Sequence, residues 1–247
     1  MPCFDETCDV SRSHGTCDSN CTDGLCVLCI ADNGINDPVV IQGTTGNDVI
    51  CVQSGNTGSG TVNVTAKGGI DLIATRANDS LYGHDFIDTG AGNDTVYAGA
   101  GNDFVDNYSG TDVINGGPGD DTLIGSSSAE TLNGEDGNDY LDGLGGDDTL
   151  NGGTGRNVIL GGSGDDTITT VPSVTHDAFG SVICGQAGND TINVSGYGAI
   201  CIDAGTDTDS CRYTKPAGAD LHEVASSAGC ETVPGDPLEA PLSCLCP

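Results

Sequence analysis

The sequence has no tryptophan, only four phenylalanines and six tyrosines, and a single methionine. A conventional aromatic core is therefore not expected in this chain of 247 residues, although the length suffices for one sizeable domain or a capped repeat array. Cations are nearly as scarce: six Lys and Arg stand against 37 Asp and Glu, a formal net charge of −31 at pH 7. Such a surface is a poor partner for nucleic acid and anionic membranes. Divalent cations suit it well. Left unneutralised, the charge would expand a compact chain by self-repulsion, and low hydrophobicity with high charge is also the signature of disorder. No apolar stretch approaches the length of a transmembrane helix. The start, Met1-Pro2-Cys3-Phe4-Asp5, has neither the basic residues nor the apolar run of an export signal, so a mature chain lacking its signal is expected.

What the sequence has in excess is glycine, 40 residues of it, and the glycines are periodic. Nine units of nine residues run without insertion from Thr89 to Thr169, beginning TGAGNDTVY, AGAGNDFVD, NYSGTDVIN and GGPGDDTLI. Position four is glycine in every unit except at Ser128. Position six is Asp, replaced only by Glu130 and Asn157, and position eight is aliphatic in all nine, from Val96 to Ile168. A phase held over nine units excludes disorder for this segment. Six residues rich in Gly and Asp make a turn, because Gly accepts positive φ and close backbone approach. The next three make a short strand whose middle residue points inward. Two units then form one coil, residues eighteen apart stack, and the strict units give four to five coils, roughly 20 Å at a strand spacing of about 4.8 Å.

These units resemble the RTX family, whose repeat is G-G-x-G-x-D-x-U-x with U a large aliphatic residue. The resemblance extends less regularly to SLYGHDFID (80–88), GTTGNDVIC (43–51) and GQAGNDTIN (185–193), with AKGGIDLIA (66–74) a degenerate copy. It implies an all-β fold, a right-handed parallel β-roll or β-solenoid. Stacking places Asp85, Asp103, Asp121 and Asp139 on one edge and Asp94, Asp112, Asp148 and Asp166 on the other. Columns of carboxylates repel one another, whereas Ca²⁺ takes six to eight oxygen ligands from carboxylates and turn carbonyls. Several Ca²⁺ ions are therefore expected, with folding coupled to their binding. In the family, the ion bridges successive turns on one edge. The metal residues expected on this basis are Asp48, Asp85, Asp94, Asp103, Asp112, Asp121, Asp139, Asp148, Asp166 and Asp190. The strongest pairs are Asp85–Asp103, Asp103–Asp121, Asp121–Asp139, Asp94–Asp112 and Asp148–Asp166. Glu130 and Asn157 should weaken the sites they share.

Thirteen Cys point to an oxidising compartment, and the odd number leaves one thiol free, metal-bound or paired between chains. Cys3, Cys8, Cys17, Cys21, Cys26 and Cys29 crowd the first thirty residues. A disulfide-stapled cap is the expected reading there; a zinc knot using His14, Cys26 and Cys29 is the alternative. Solenoids need caps over their open ends. Cys184 and Cys201 lie near one coil apart and could cross-link adjacent coils. The expected organisation is a Cys-rich N-terminal cap (1–38), degenerate first coils (39–79), a calcium-binding roll (80–193) with an insertion at 170–184, and a Cys-containing C-terminal cap (194–247). The C-terminal Pro-Leu-Ser-Cys-Leu-Cys-Pro does not look like the uncleaved export signal usual in the family, so export through a disulfide-forming compartment is expected.

No catalytic constellation stands out. There is no Gly-x-Ser-x-Gly elbow and no phosphate loop ending in Gly-Lys-Ser/Thr, and His222-Glu223 is followed by Val-Ala-Ser rather than a second zinc-binding His. Acid pairs suit glycoside chemistry by residue type, but calcium already accounts for them, so the chain is expected not to be an enzyme. The outward faces differ. One carries Thr95, Val113, Thr131, Thr149 and Thr167 with Asn115, Asn133 and Asn151; the other carries Phe104, Ile124, Tyr140, Val158 and Leu160, an expected interface. Three roles follow: a secreted structural, adhesive or self-assembling protein with self-association or a cell-surface or matrix partner; an ice-binding protein using the Thr/Asn face; and a polysaccharide-active enzyme or accessory module.

Overall fold

The computed structural model describes residues 14–16, 25–32, 39–42, 45, 47–54, 62–66, 71–74, 84–172, 180–196, 200–214 and 224–226. The chain divides into two units, Met1–Leu123 and Ile124–Pro247. Among the described residues there are strands and no helix.

Unit 1 contains β1 (His14–Thr16), β2 (Leu25–Asp32), β3 (Val39–Gln42), β4 (Asn47–Ser54), β5 (Val62–Thr65), β6 (Leu72–Ala74), β7 (Phe86–Asp88), β8 (Thr95–Tyr97), β9 (Phe104–Asp106) and β10 (Val113–Pro118). Strand β11 (Thr122–Ser126) spans the division. Unit 2 contains β12 (Thr131–Asp136), β13 (Tyr140–Leu144), β14 (Thr149–Thr154), β15 (Val158–Ser163), β16 (Thr167–Val171), β17 (Ser181–Ala187), β18 (Thr191–Ser195), β19 (Ile200–Asp203), β20 (Ser210–Thr214) and β21 (Val224–Ser226). Within each unit the odd-numbered strands form one sheet and the even-numbered strands the other, in sequence order. The paired strands within each unit run parallel, as in β7 with β9, where Phe86 lies opposite Phe104, or β14 with β16, where Leu150 lies opposite Ile168. Each coil thus returns to the same register, which is the β-roll arrangement.

The eighteen-residue period sets that register. Val96 pairs with Ile114 and Leu132 with Leu150. It is longer outside the strict repeat: Leu72 pairs with Thr95, a step of twenty-three. Ile159 pairs with Ile183 and Ile168 with Ile192, a step of twenty-four that absorbs the insertion, whose residues 173–179 lie outside the described set. Ile192 then pairs with Cys211, a step of nineteen. Position eight builds the core. Val96, Val105, Ile114 and Leu123 in unit 1, and Leu132, Leu141, Leu150, Ile159 and Ile168 in unit 2, have no solvent exposure. Tight turns are held by position-four glycine. Gly119 has φ +151°, and a Cβ there would lie 1.5 Å from the carbonyl oxygen of Gly101, so the stack cannot accept a side chain at that point.

Three details differ from the sequence expectation. Leu160, expected on an exposed apolar face, is buried at 6% exposure. Phe104 is half-buried because it stacks on Phe86, ring centroids 5.0 Å apart and planes within 4°, an aromatic cross-strand pair worth about 1 kcal/mol beyond its area. Cys184 lies opposite Asp203, and Cys201 opposite Val182, so the two cysteines are offset by two positions rather than stacked. The step between these strands is nineteen residues, so a spacing of seventeen sets them two positions out of line. Of the residues in the disulfide and zinc readings of the N-terminal segment, only the backbone of His14 in β1 and of Cys26 and Cys29 in β2 is described, and both readings rest on side chains outside the described set.

Candidate calcium-binding edges

Each turn presents two side chains, at positions five and six, and they hydrogen-bond in opposite directions along the stack. Position six reaches back one coil. In unit 1, Asp103 Oδ1 accepts from the backbone N–H of Asp85 at 2.8 Å, and Asp121 Oδ1 from that of Asp103 at 2.8 Å. On the opposite edge Asp94 accepts from Asp71 at 2.6 Å, and Asp112 accepts from Asp94. In unit 2, Asp148 accepts from Glu130 at 2.7 Å, while Asp166, Asp190 and Asp209 each accept from the preceding member, Asp148, Asp166 and Asp190, at 2.9 Å. Position five reaches forward. Asn93 Oδ1 accepts from Thr111 N–H at 3.0 Å, Asn138 from Arg156 at 3.0 Å, and Asp147 from Asp165 at 2.9 Å.

Only one carboxylate oxygen of each position-six Asp is used in this way. The second oxygen, Oδ2, of Asp94, Asp103, Asp112, Asp148, Asp166, Asp190 and Asp209 is buried and has no hydrogen-bond partner. In the turns of Asp148, Asp166 and Asp190 a glycine at position one makes room for it. A Cβ on Gly143 would lie 2.4 Å from Asp148 Oδ2, and one on Gly161 2.4 Å from Asp166 Oδ2. A buried carboxylate oxygen without a donor is costly. Burial is the main reason four of them resist ionising: Asp103 and Asp148 are pushed up to about 8, Asp166 to about 7 and Asp94 to about 6. The backbone N–H each accepts pulls the other way, and repulsion from stacked neighbours, such as Asp85 and Asp121 around Asp103, pushes up again.

The arrangement demands either protons or cations. Among the described residues, no three His, Cys, Asp or Glu groups gather at one point; the carboxylates meet pairwise along each edge. A soft-ligand metal finds nothing there. A hard cation with several oxygen ligands fits, its remaining ligands coming from turn carbonyls. A bound Ca²⁺ supplies the positive charge that lets stacked carboxylates stay ionised while buried.

A model of the RTX calcium-binding nonapeptide repeat matches residues 79–114, 106–141 and 142–170, in four copies. Residues 79–170 are an RTX repeat array. RTX repeats bind several Ca²⁺ ions per array, and this array does so too. No curated protein and no solved structure matches the chain.

Of the expected metal residues, Asp94, Asp103, Asp112, Asp121, Asp139, Asp148, Asp166 and Asp190 are buried at position six, and Asp85 is half-buried at the same position. Asp48 is in β4, its Cα opposite Cys26, and its side chain is outside the described set. Two ladder members escaped the sequence reading. Asp71 belongs to the degenerate copy 66–74, whose position-six Asp could have revealed it. Asp209 lies beyond Asp203, where the pattern fades: position eight there is Cys211, which pairs with Ile192, and position four is Asp207, which takes φ +83° in place of glycine. The Asp ladder therefore continues past residue 170, through Asp190 to Asp209. The position-five ladder was also missed, although Asn and Asp dominate that position (Asn93, Asn102, Asp120, Asn138, Asp147, Asp165, Asn189).

Proposed function

We propose that this protein is a secreted structural module whose RTX array is stiffened by calcium and whose disulfide-rich ends cap the roll, with no catalytic role of its own. The observation that carries the reading is the set of buried, unpartnered Asp Oδ2 atoms along both edges: calcium is built into the folded state rather than added to its surface. Extracellular calcium is abundant enough to keep weak sites filled, since extracellular modules work with dissociation constants of about 10⁻⁴–10⁻³ M. Cys184, Cys201 and Cys211 in disulfide-bonded form support an oxidising destination and a covalently secured C-terminal end. Disulfides secure what calcium does not.

Self-association is the role proposed for the outer surface. Phe86, Tyr97, Tyr108 and Val113 are exposed in unit 1, and strand edges at the ends of a roll invite pairing with another chain. Sedimentation velocity at rising protein concentration, with calcium and with EGTA, tests this. Calcium-dependent growth in mass is expected; a monomer at high concentration in both conditions refutes self-assembly while leaving the calcium array untouched.

Ice binding is the second reading, favoured by one observation. In unit 2, Thr131, Thr149, Thr167 and Thr191 are direct register partners down one sheet, a regular hydroxyl column at the strand spacing of about 4.8 Å. Val113, which stands at the same position seven opposite Thr95, belongs to unit 1. Thermal hysteresis of the calcium-loaded chain is the expected signature, and its absence with unshaped ice crystals ends this reading.

A further inference from the structure

The RTX ladders of unit 2 contain an exception that says where calcium is not used. Asn157 stands at position six and is completely buried. Its Oδ1 does what the Asp side chains do, accepting the backbone N–H of the preceding member, Asp139, at 2.9 Å. Its Nδ2 lies against position-one Gly152, as the Oδ2 atoms of Asp148 and Asp166 lie against Gly143 and Gly161. From that spot Nδ2 donates to the carbonyl oxygen of Gly152 at 2.6 Å and to Thr170 Oγ1 at 3.1 Å. The same place therefore holds an unpartnered acceptor in the Asp turns and a satisfied donor in this one.

The repeat gives every Asp turn an equivalent position-one carbonyl. A carboxylate oxygen can donate nothing to that carbonyl, whereas the Asn157 amide gives it an N–H. The next member on this edge is also neutral: Ser181 Oγ accepts the Asn157 backbone N–H at 3.0 Å and donates to the Gly155 carbonyl at 3.4 Å. The opposite edge of unit 2 keeps carboxylates at Asp148, Asp166, Asp190 and Asp209.

We propose that the side-chain amide of Asn157 takes the place of a calcium ion, so that the turn 152–157 is closed without metal and the calcium dependence of unit 2 beyond Asp139 falls on the Asp148–Asp209 edge. Thr170, which accepts the second amide hydrogen, completes this internal substitute. The inference rests on the calcium reading of the Asp ladders and goes beyond it, because it assigns one turn of the array to a different closing device.

The test is calcium stoichiometry, measured by isothermal titration calorimetry on the full chain and on Asn157→Asp, Asn157→Ala and Asp166→Asn, with circular dichroism in calcium as the check of folding. The substitution Asn157→Asp restores the repeat consensus and is expected to bind one more Ca²⁺ than the parent while folding normally in calcium. Asn157→Ala is expected to keep the parent number, and Asp166→Asn to lose at least one ion. An Asn157→Asp chain with the parent stoichiometry, or one that fails to fold in calcium, overturns the substitution idea. So does Asn157→Ala losing an ion. A parent chain that binds no calcium overturns the underlying reading of the ladders instead, and the Asp166→Asn result shows whether a single site can be resolved.

Discussion

Excess EGTA at pH 8.5 should abolish most of the β-sheet circular dichroism of this protein, and returned calcium should restore it. The sizes of the competing terms decide this. The core is a row of single aliphatic side chains, each contributing about 1.5–3 kcal/mol on burial, set against roughly 1–2 kcal/mol per residue for fixing the backbone of turns rich in glycine, the residue that loses most freedom on folding. Aromatic anchors are nearly absent. On the Asp148–Asp166–Asp190–Asp209 edge alone, three successive carboxylate pairs face each other. One ion per pair at a hundredfold excess over its dissociation constant contributes about 2.7 kcal/mol. Three such ions give about 8 kcal/mol, within the 5–15 kcal/mol range of an ordinary domain's whole stability. Removing them at a pH where the acids must ionise leaves the fold without its largest favourable term. Strand content unchanged after exhaustive chelation would refute the calcium-coupled fold.

The repeat made much of the array legible from sequence because its period fixes everything local at once. Position eight alone places Leu150 over Ile168, and position six alone places Asp148 beside Asp166. The reading weakened where the code is carried by geometry rather than residue type. Asp209 sits in a copy whose aliphatic position holds Cys211 and whose position-four glycine has become Asp207; the strand pairing keeps the register that the residues no longer advertise. The position-five ladder was hidden for another reason. Asn and Asp are common in turns because they cap their own backbone, so their recurrence there reads as turn chemistry. Only the register shows that Asn93 and Asp147 bond the next coil. Burial on the outer faces is likewise a matter of neighbours: Leu160 and Phe104 have the alternation of exposed residues, yet the first is buried and the second lies half-covered against Phe86.

The same buried acids set a second large effect, an inversion of pH dependence between the metal-free and calcium-loaded protein. Burial lifts Asp94 to about 6, Asp166 to about 7, and Asp103 and Asp148 to about 8, whereas an unfolded Asp titrates near 3.9. Between those values the folded, metal-free chain holds more protons than the unfolded one, and linkage then requires its stability to fall as pH rises. The contribution of these groups is fully present below about pH 4 and is lost as pH climbs through about 6 to 8. With calcium the slope reverses, because ions bind the ionised carboxylates and protons compete with them. Melting curves from pH 4.5 to 8.5 should therefore slope downward in EGTA and upward in calcium. The two lines converge at the acid end, where protons do the work of the metal. Calcium added at pH 7 to unbuffered protein should also release protons, since Asp103 and Asp148 must give theirs up. Parallel slopes in the two conditions, or calcium binding without proton release at pH 7, would show that the second carboxylate oxygens do not face the ion and that calcium is held elsewhere on the turns.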